Sequence, residues 1–210
     1  MRLFLFSDLH NDEATARRLA GEALGANVAA VVSAGDLATD GVHSPGVYAP
    51  FGRVGVPVLS VPGNHDGLLP YQAALDTAGW EDLHGRVRSL DGWVLAGHGL
   101  PELDGRFSGP DGDAQADDPE LTALLAQLQP VPPNRLILVT HLPPWGTLAA
   151  RDRRFIDRGS VQLRRWVEAH QPAAVLCGHV HLKEAVVDQI GDTLVVNAGP
   201  HGWVGSFKVG

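Results

Sequence analysis

Carboxylate, imidazole and amide side chains stand just after the apolar runs of this 210-residue chain. Gly63-Asn64-His65-Asp66 follows a β-type run at 56–59 and precedes a helical pattern that starts near Leu68. It reads as the turn at the carboxyl end of a strand, where open α/β sheets bind ligands. Asp8 and His10 follow the run at 3–6, Asp36 the run at 28–32, His141 the run at 135–139, and His179 with His181 the run at 173–176. Residues two apart on an extended chain point the same way, so Asp8 with His10, and His179 with His181, can each address one site. Two carboxylates about 4 Å apart repel by roughly 4 kcal/mol at an effective dielectric of 20. Gathering them among imidazoles therefore calls for cations between them. Carboxylate, imidazole and amide ligands without thiolate suit manganese, iron or zinc, and ligand type does not choose among these. The set Asp8, His10, Asp36, Asn64, His141, His179 and His181 is too large for one tetrahedral ion and suits two ions sharing a carboxylate.

The elements that must position these residues follow from periodicity. Leu3-Phe4-Leu5-Phe6 is continuously apolar, as in a strand buried on both faces. A helix is expected over 13–24, stopped by Gly25-Ala26-Asn27, then a strand over 28–32. Strand, helix, strand at this spacing is a βαβ unit with a right-handed crossover. Residues 39–50 read as a Gly/Pro-interrupted loop, and 68–78 as a helix. Short strands at 86–90 and 93–96 flank Asp91-Gly92, a strong hairpin signal. Residues 101–118 are rich in Gly, Pro and Asp and are expected to form a mobile surface loop. Helices at 119–128 and 160–170, and strands at 185–187, 193–196 and 203–209, complete the pattern. The expectation is one α/β domain over 1–210, with two sheets and helices outside.

Composition narrows the partners. A net charge of −8 argues against extended attraction to nucleic acid or anionic membrane. No apolar run reaches the roughly 18 residues that span a bilayer. The four apolar residues before Ser7-Asp8 are too few for a signal-peptide core. Cys177 has no partner for an internal disulfide, which fits a reducing compartment. The expectation is a cytoplasmic protein that takes a small substrate, with a homodimer left open.

Taken in order, Asp8-x-His10, Gly35-Asp36, Gly63-Asn64-His65-Asp66, His141 and Gly178-His179-x-His181 resemble the calcineurin-like metallophosphoesterase family. The resemblance spans 4–200 and implies a four-layer αββα sandwich, two mixed β-sheets flanked by helices. It implies Asp8, His10, Asp36 and His181 on a first metal, and Asp36, Asn64, His141 and His179 on a second, with Asp36 bridging. His65 would then face the phosphoryl group. Two such cations can polarise phosphoryl oxygens and supply a bridging hydroxide at neutral pH, and an imidazole like His65 can protonate a poor alkoxide leaving group. In the protein Ser/Thr phosphatase branch the second motif runs Gly-Asp-x-x-Asp-Arg-Gly, whereas here it is Gly35-Asp36-Leu37-Ala38-Thr39-Asp40-Gly41. Thr39 stands where the second Asp belongs, no Arg follows, and Asp40 lies one residue late for a group that would orient His65. Ser7-Asp8-Leu9-His10-Asn11 and Val196-Asn197-Ala198-Gly199-Pro200 look more like the small bacterial branch, which includes phosphodiesterases. With no Arg clamp for a dianion, a diester is favoured over a monoester. A non-catalytic metal-binding interaction protein on the same fold would lack ligands, and every motif position here is filled.

Each residue also has a plainer reading. Asp8 or Asp36 alone would be read as a helix N-cap, and His141 as a loop histidine. Asp66 reads as a cap or a support for the ligands rather than a ligand. Asn11, His98 and His201 are candidates for substrate contact, with turn or surface roles as the alternative. His43, His84 and His170 are assigned to the surface. Six of the sixteen basic residues fall between Arg151 and Arg165 and read as a solvated face with Asp152 and Asp157 as internal partners. Trp145 reads as packing, with stacking on an aromatic leaving group as the alternative.

Overall fold

The computed structural model describes residues 1–99 and 117–208. Most of the expected mobile loop, residues 101–116, lies outside the described residues. Two sheets form the centre. The first comprises β1 (Arg2–Phe6), β2 (Ala30–Ser33), β3 (Val58–Ser60), β4 (Glu81–Asp82) and β11 (Trp203–Ser206), in the order β11-β1-β2-β3-β4. The second comprises β5 (Val87–Leu90), β6 (Trp93–His98), β7 (Leu136–Thr140), β8 (Ala174–Cys177), β9 (Val186–Ile190) and β10 (Thr193–Asn197), in the order β5-β6-β7-β8-β10-β9. Inner pairs are parallel and one or both edges antiparallel, so both sheets are mixed.

Side-chain alternation sorts the buried residues into three cores, one between the sheets and one under each helical layer. In β1, Leu3 and Leu5 face the second sheet, where they meet Leu95, Ile137, Val139, Leu176 and Val196. Phe4 and Phe6 face the other way, onto α1 (Glu13–Gly25), α2 (Pro45–Tyr48) and α3 (Leu68–Ala78), whose Leu19, Val47, Tyr71 and Leu75 are buried there. In β7 and β8, Leu138 and Val175 face α4 (Pro119–Gln127) and α5 (Val161–His170), against Leu121, Leu125, Leu163 and Val167. Helices, sheet, sheet, helices: the αββα expectation is the observed architecture. Apolar burial of this extent is the main stabilising term, at about 25 cal/mol per Å² removed from water.

Local signals account for most boundaries. Asp12, Asp118 and Ser160 cap α1, α4 and α5 by accepting backbone N–H groups of the first turn. Asp91 and Gly92 both have positive φ, as the two-residue β5–β6 hairpin requires. Residues 39–50 differ from the expected loop: α2 begins at Pro45 and a 3₁₀ turn follows over Ala49–Arg53. Proline is favoured in the first helical turn, and Val47, Tyr48 and Phe51 are held by burial that no single-turn periodicity announces. The two-residue β4 was not expected either, since a half-exposed Glu-Asp pair carries no strand pattern. Arg135 belongs to a 3₁₀ turn rather than to β7, and the last strand ends at Ser206.

What matters for chemistry is where the strands stop. Phe6 pairs with Ser33, and Ser33 with Ser60, so β1, β2 and β3 end level with one another. In the second sheet, His98 pairs with Thr140, and Val139 with Leu176. The turns after these strands interlock: Asp8 N–H donates to Gly35 O (2.9 Å), His141 N–H to His98 O (3.1 Å) and Gly178 N–H to His141 O (3.1 Å).

Candidate metal centre

Five strand-end turns converge at the rim where the two sheets meet. The first sheet contributes Asp8, His10, Asp36 and Asn64, and the second contributes His141, His179 and His181. Asp8, His10, Asp36 and His179 all lie at φ between 45° and 69°. Non-glycine residues in that left-handed region cost about 1–3 kcal/mol each, and such strain gathers where surrounding bonds fix a functional geometry. Glycines permit the close approach. A Cβ on Gly63 would stand 2.1 Å from Asp36 Oδ1, and one on Gly178 would stand 2.5 Å from Ser7 Oγ.

One ligand atom each from Asp8, His10, Asp36 and His181 lie within 4.8 Å of one another, and so do atoms of Asp36, His141 and His179. Asn64 Oδ1 joins the second group, 3.1 Å from His141 Nε2 and 3.0 Å from His179 Nδ1. Asp36 belongs to both. Its Oδ1 accepts the His65 N–H at 2.8 Å, while its Oδ2 lies 3.8 Å from His10 Nε2 and 3.4 Å from His141 Nε2. The first group is partly open, with His181 exposed; the second is nearly sealed, with His141 wholly buried.

The surrounding bonds set which atoms face inward. His141 Nδ1 donates to Ala34 O at 2.7 Å, which turns Nε2 to the centre. Ser7 Oγ donates to Asp8 Oδ2, and His179 N–H to Asp8 Oδ1 at 3.1 Å. His10 Nε2 and His181 Nε2 point at each other across 3.1 Å. Burial acts to lower the His141 pKa, but the adjacent Asp36 carboxylate outweighs it and lifts the value to about 9. Burial also works against the charged form of Asp36, yet His141 and the His65 N–H carry its pKa well below the usual range. His179, buried beside His141, falls to about 4. This mixture of carboxylate, imidazole and amide donors, aimed inward and without thiolate, fits two divalent cations.

The match to a known family takes in all of these turns. Residues 1–183 fit the family of calcineurin-like phosphoesterases. The chain belongs to that family. Among solved structures, the protein TT1561 of Thermus thermophilus is 17% identical, with 99% of each chain covered and a TM-score of 0.68. A dimetal phosphatase from Danio rerio is 13% identical over 95% of this chain and 88% of that one, with a TM-score of 0.66. An archaeal phosphodiesterase is 17% identical over 95% of this chain and 84% of that one, with a TM-score of 0.54. At these identities the likeness is one of fold. No curated protein matches the chain.

The calcineurin-like phosphoesterases are dinuclear-metal dependent, and here the seven side chains read from the sequence as ligands come together in one place. His65 stands beside them, its ring 5.0 Å from that of His10 and its backbone N–H on Asp36. The other candidates fare differently. Asn11 spends its amide on the neighbouring segment, donating to Val42 O at 2.7 Å and accepting from Ser44 N–H at 2.9 Å. His98 is buried, with Nε2 3.0 Å from Asp118 Oδ2 at the start of α4. His201 is exposed and its Nε2 donates to Leu182 O at 3.0 Å.

Some assignments need correcting. His43 is half-buried, bonding the Tyr48 hydroxyl through Nδ1 and Asp66 O through Nε2 at 2.7 Å. His84 is mostly buried and its Nδ1 accepts the Gly99 N–H at 3.0 Å. A sequence offers no sign that a polar loop residue is folded inward. The Asp157 carboxylate takes the N–H groups of Gly146 and Gly159 and forms no ion pair with an arginine among the described residues, whereas Asp152 does pair with Arg158. Asp40, one residue late by motif spacing, lies with Oδ1 3.5 Å from His65 Nδ1, a buried nitrogen with no hydrogen-bond partner among the described residues. Asp40 has φ of 50°, and Gly41 N–H donates to His65 O at 2.8 Å, so the turn folds back over the histidine. That backbone reversal is what offset counting along the motif misses.

Proposed function

We propose that this calcineurin-like phosphoesterase hydrolyses phosphate esters with two divalent cations, and that its substrate is a small phosphodiester or nucleotide. Asp8, His10, Asp36 and His181 would hold one cation, and Asp36, Asn64, His141 and His179 the other. The position of Asp36 Oδ2, within 3.8 Å of His10 Nε2 and 3.4 Å of His141 Nε2, carries this reading, because one carboxylate oxygen faces both groups. Bound there, manganese, iron or zinc supplies Lewis acidity toward the phosphoryl oxygens and activates water for attack.

The chain's own side chains do the rest. His65 holds a proton for the leaving oxygen, and Asp40 sits where it can steady the imidazole from the Nδ1 side. Among the described residues every ion pair of Asp8 and Asp36 is with histidine, and no Lys or Arg enters their pairing. A dianionic monoester gains most from an Arg clamp, and the second motif, Gly35 to Gly41, carries no Arg, which favours the monoanionic diester. The fold neighbours named for their chemistry include one phosphodiesterase and one phosphatase, so they do not separate the two.

The test is a parallel assay of p-nitrophenyl phosphate, its bis ester and cyclic nucleotides with added manganese, alongside metal analysis. Diester turnover above monoester turnover, lost in Asp36→Asn, is the expected result. A monoester preference reverses the substrate class, and a folded protein that binds no divalent cation sinks the proposal altogether.

A further inference from the structure

Asp66 is wholly buried, yet it belongs to neither ligand group. Its carboxylate accepts three backbone N–H groups from two separate turns. Oδ2 takes Asp36 N–H at 2.8 Å and Gly63 N–H at 2.7 Å, and Oδ1 takes Ala38 N–H at 2.8 Å. One turn carries Asp36, which faces both groups; the other carries Asn64 and His65. The clamped segment passes the restraint on, since Asp36 O accepts from His10 N–H at 3.1 Å and Leu37 O from Asn11 N–H at 2.9 Å. Behind Asp66, its own carbonyl is held by His43 Nε2 at 2.7 Å, and its N–H donates to Gly63 O at 3.2 Å. A buried carboxylate with three charge-assisted bonds is a strong restraint, and none of these bonds involves a cation.

We infer that Asp66 is a positioning residue: it locks the turns of Asp36 and of Asn64–His65 at their working separation, so the ligand cage stands before any cation enters. The inference rests on the reading that this cage holds divalent cations. Asparagine at 66 keeps the size but sets an NH₂ against backbone donors in either orientation, at Ala38 or at Asp36 and Gly63, so the hold on the Asp36 turn weakens whichever way the amide lies. Groups that orient metal ligands typically contribute 10- to 100-fold in affinity.

The experiment compares Mn²⁺ affinity, by chelator competition, in wild type, Asp66→Asn and Leu75→Ala. Leu75 is buried in the helical layer of the first sheet and bonds to none of these turns, so its truncation reports lost stability alone. Loss of at least about tenfold in Asp66→Asn, with Leu75→Ala within about twofold of wild type, is expected. Equal affinity in the two variants overturns the inference. Amide hydrogen exchange on metal-free wild type decides the matter even if Asp66→Asn does not fold. Protection of Asp36, Ala38 and Gly63 comparable to the strand cores is expected, and exchange at loop rates refutes it. If wild type binds no Mn²⁺, the metal reading fails by itself, while the exchange pattern still decides whether the clamp stands.

Discussion

Asp40 illustrates how a single residue can act outside its motif position. Its carboxylate is well exposed, 82%, and lies 3.5 Å from a histidine nitrogen that has no other partner among the described residues. An exposed pair is worth little to stability, so its effect belongs to turnover. Asp40→Asn is expected to lower kcat by roughly tenfold, a fraction of the 10²–10⁴ a positioned acid supplies, while leaving metal content and melting temperature unchanged. Steady-state kinetics with metal analysis checks this; an unaltered kcat means that His65 needs no carboxylate. Asp40 also marks a limit of motif reading. Asp36, Asn64, His65 and His141 are legible as residue types at strand ends, and the φ of 50° at Asp40 is legible as an Asp-Gly turn between Thr39 and Val42, but nothing local says that this turn lies against His65.

Among the elements, α4 is tied down most visibly at its start. Asp118 accepts the Glu120 N–H at 2.8 Å and the Leu121 N–H at 3.2 Å through Oδ1, and faces His98 Nε2 at 3.0 Å through Oδ2. Burial acts to raise its pKa, but the His98 bond and charge, with the two N–H groups, bring it down to about 2. A depressed carboxylate pKa means stability that is complete above the unfolded value of 3.8 and is lost as pH falls through about 2. Asp118→Ala should therefore cost about 1 kcal/mol at neutral pH. In urea titrations the gap from wild type should narrow as pH drops below about 4, and a gap independent of pH would remove the carboxylate from the account. The helix itself is readable from the Asp-Pro start and the leucines at 121, 124, 125 and 128. Its partner His98, twenty residues earlier, is not.

At the level of the whole molecule, the cage is divided between two sheets, so its shape depends on the core between them. Ile137 sits in β7 on the face toward the first sheet and is fully buried. Ile137→Ala is expected to lower unfolding stability by about 2–5 kcal/mol, read from denaturant curves, because the cavity cannot close without moving one sheet on the other. A loss below about 1 kcal/mol would mean the layers repack freely.

Sequence alone determined the strands and helices with strong periodicity, the seven side chains at strand ends and the family they resemble. Hydrophobic alternation and strand-end residue types are local properties, and local properties survive in one dimension. Tertiary structure alone decided which oxygen of Asp36 faces both ligand groups, that Asp66 reaches three backbone donors, and that His43 and His84 face inward. Each of these depends on the register between strands and the distance between sheets, which packing of the whole chain sets and no short stretch of it encodes.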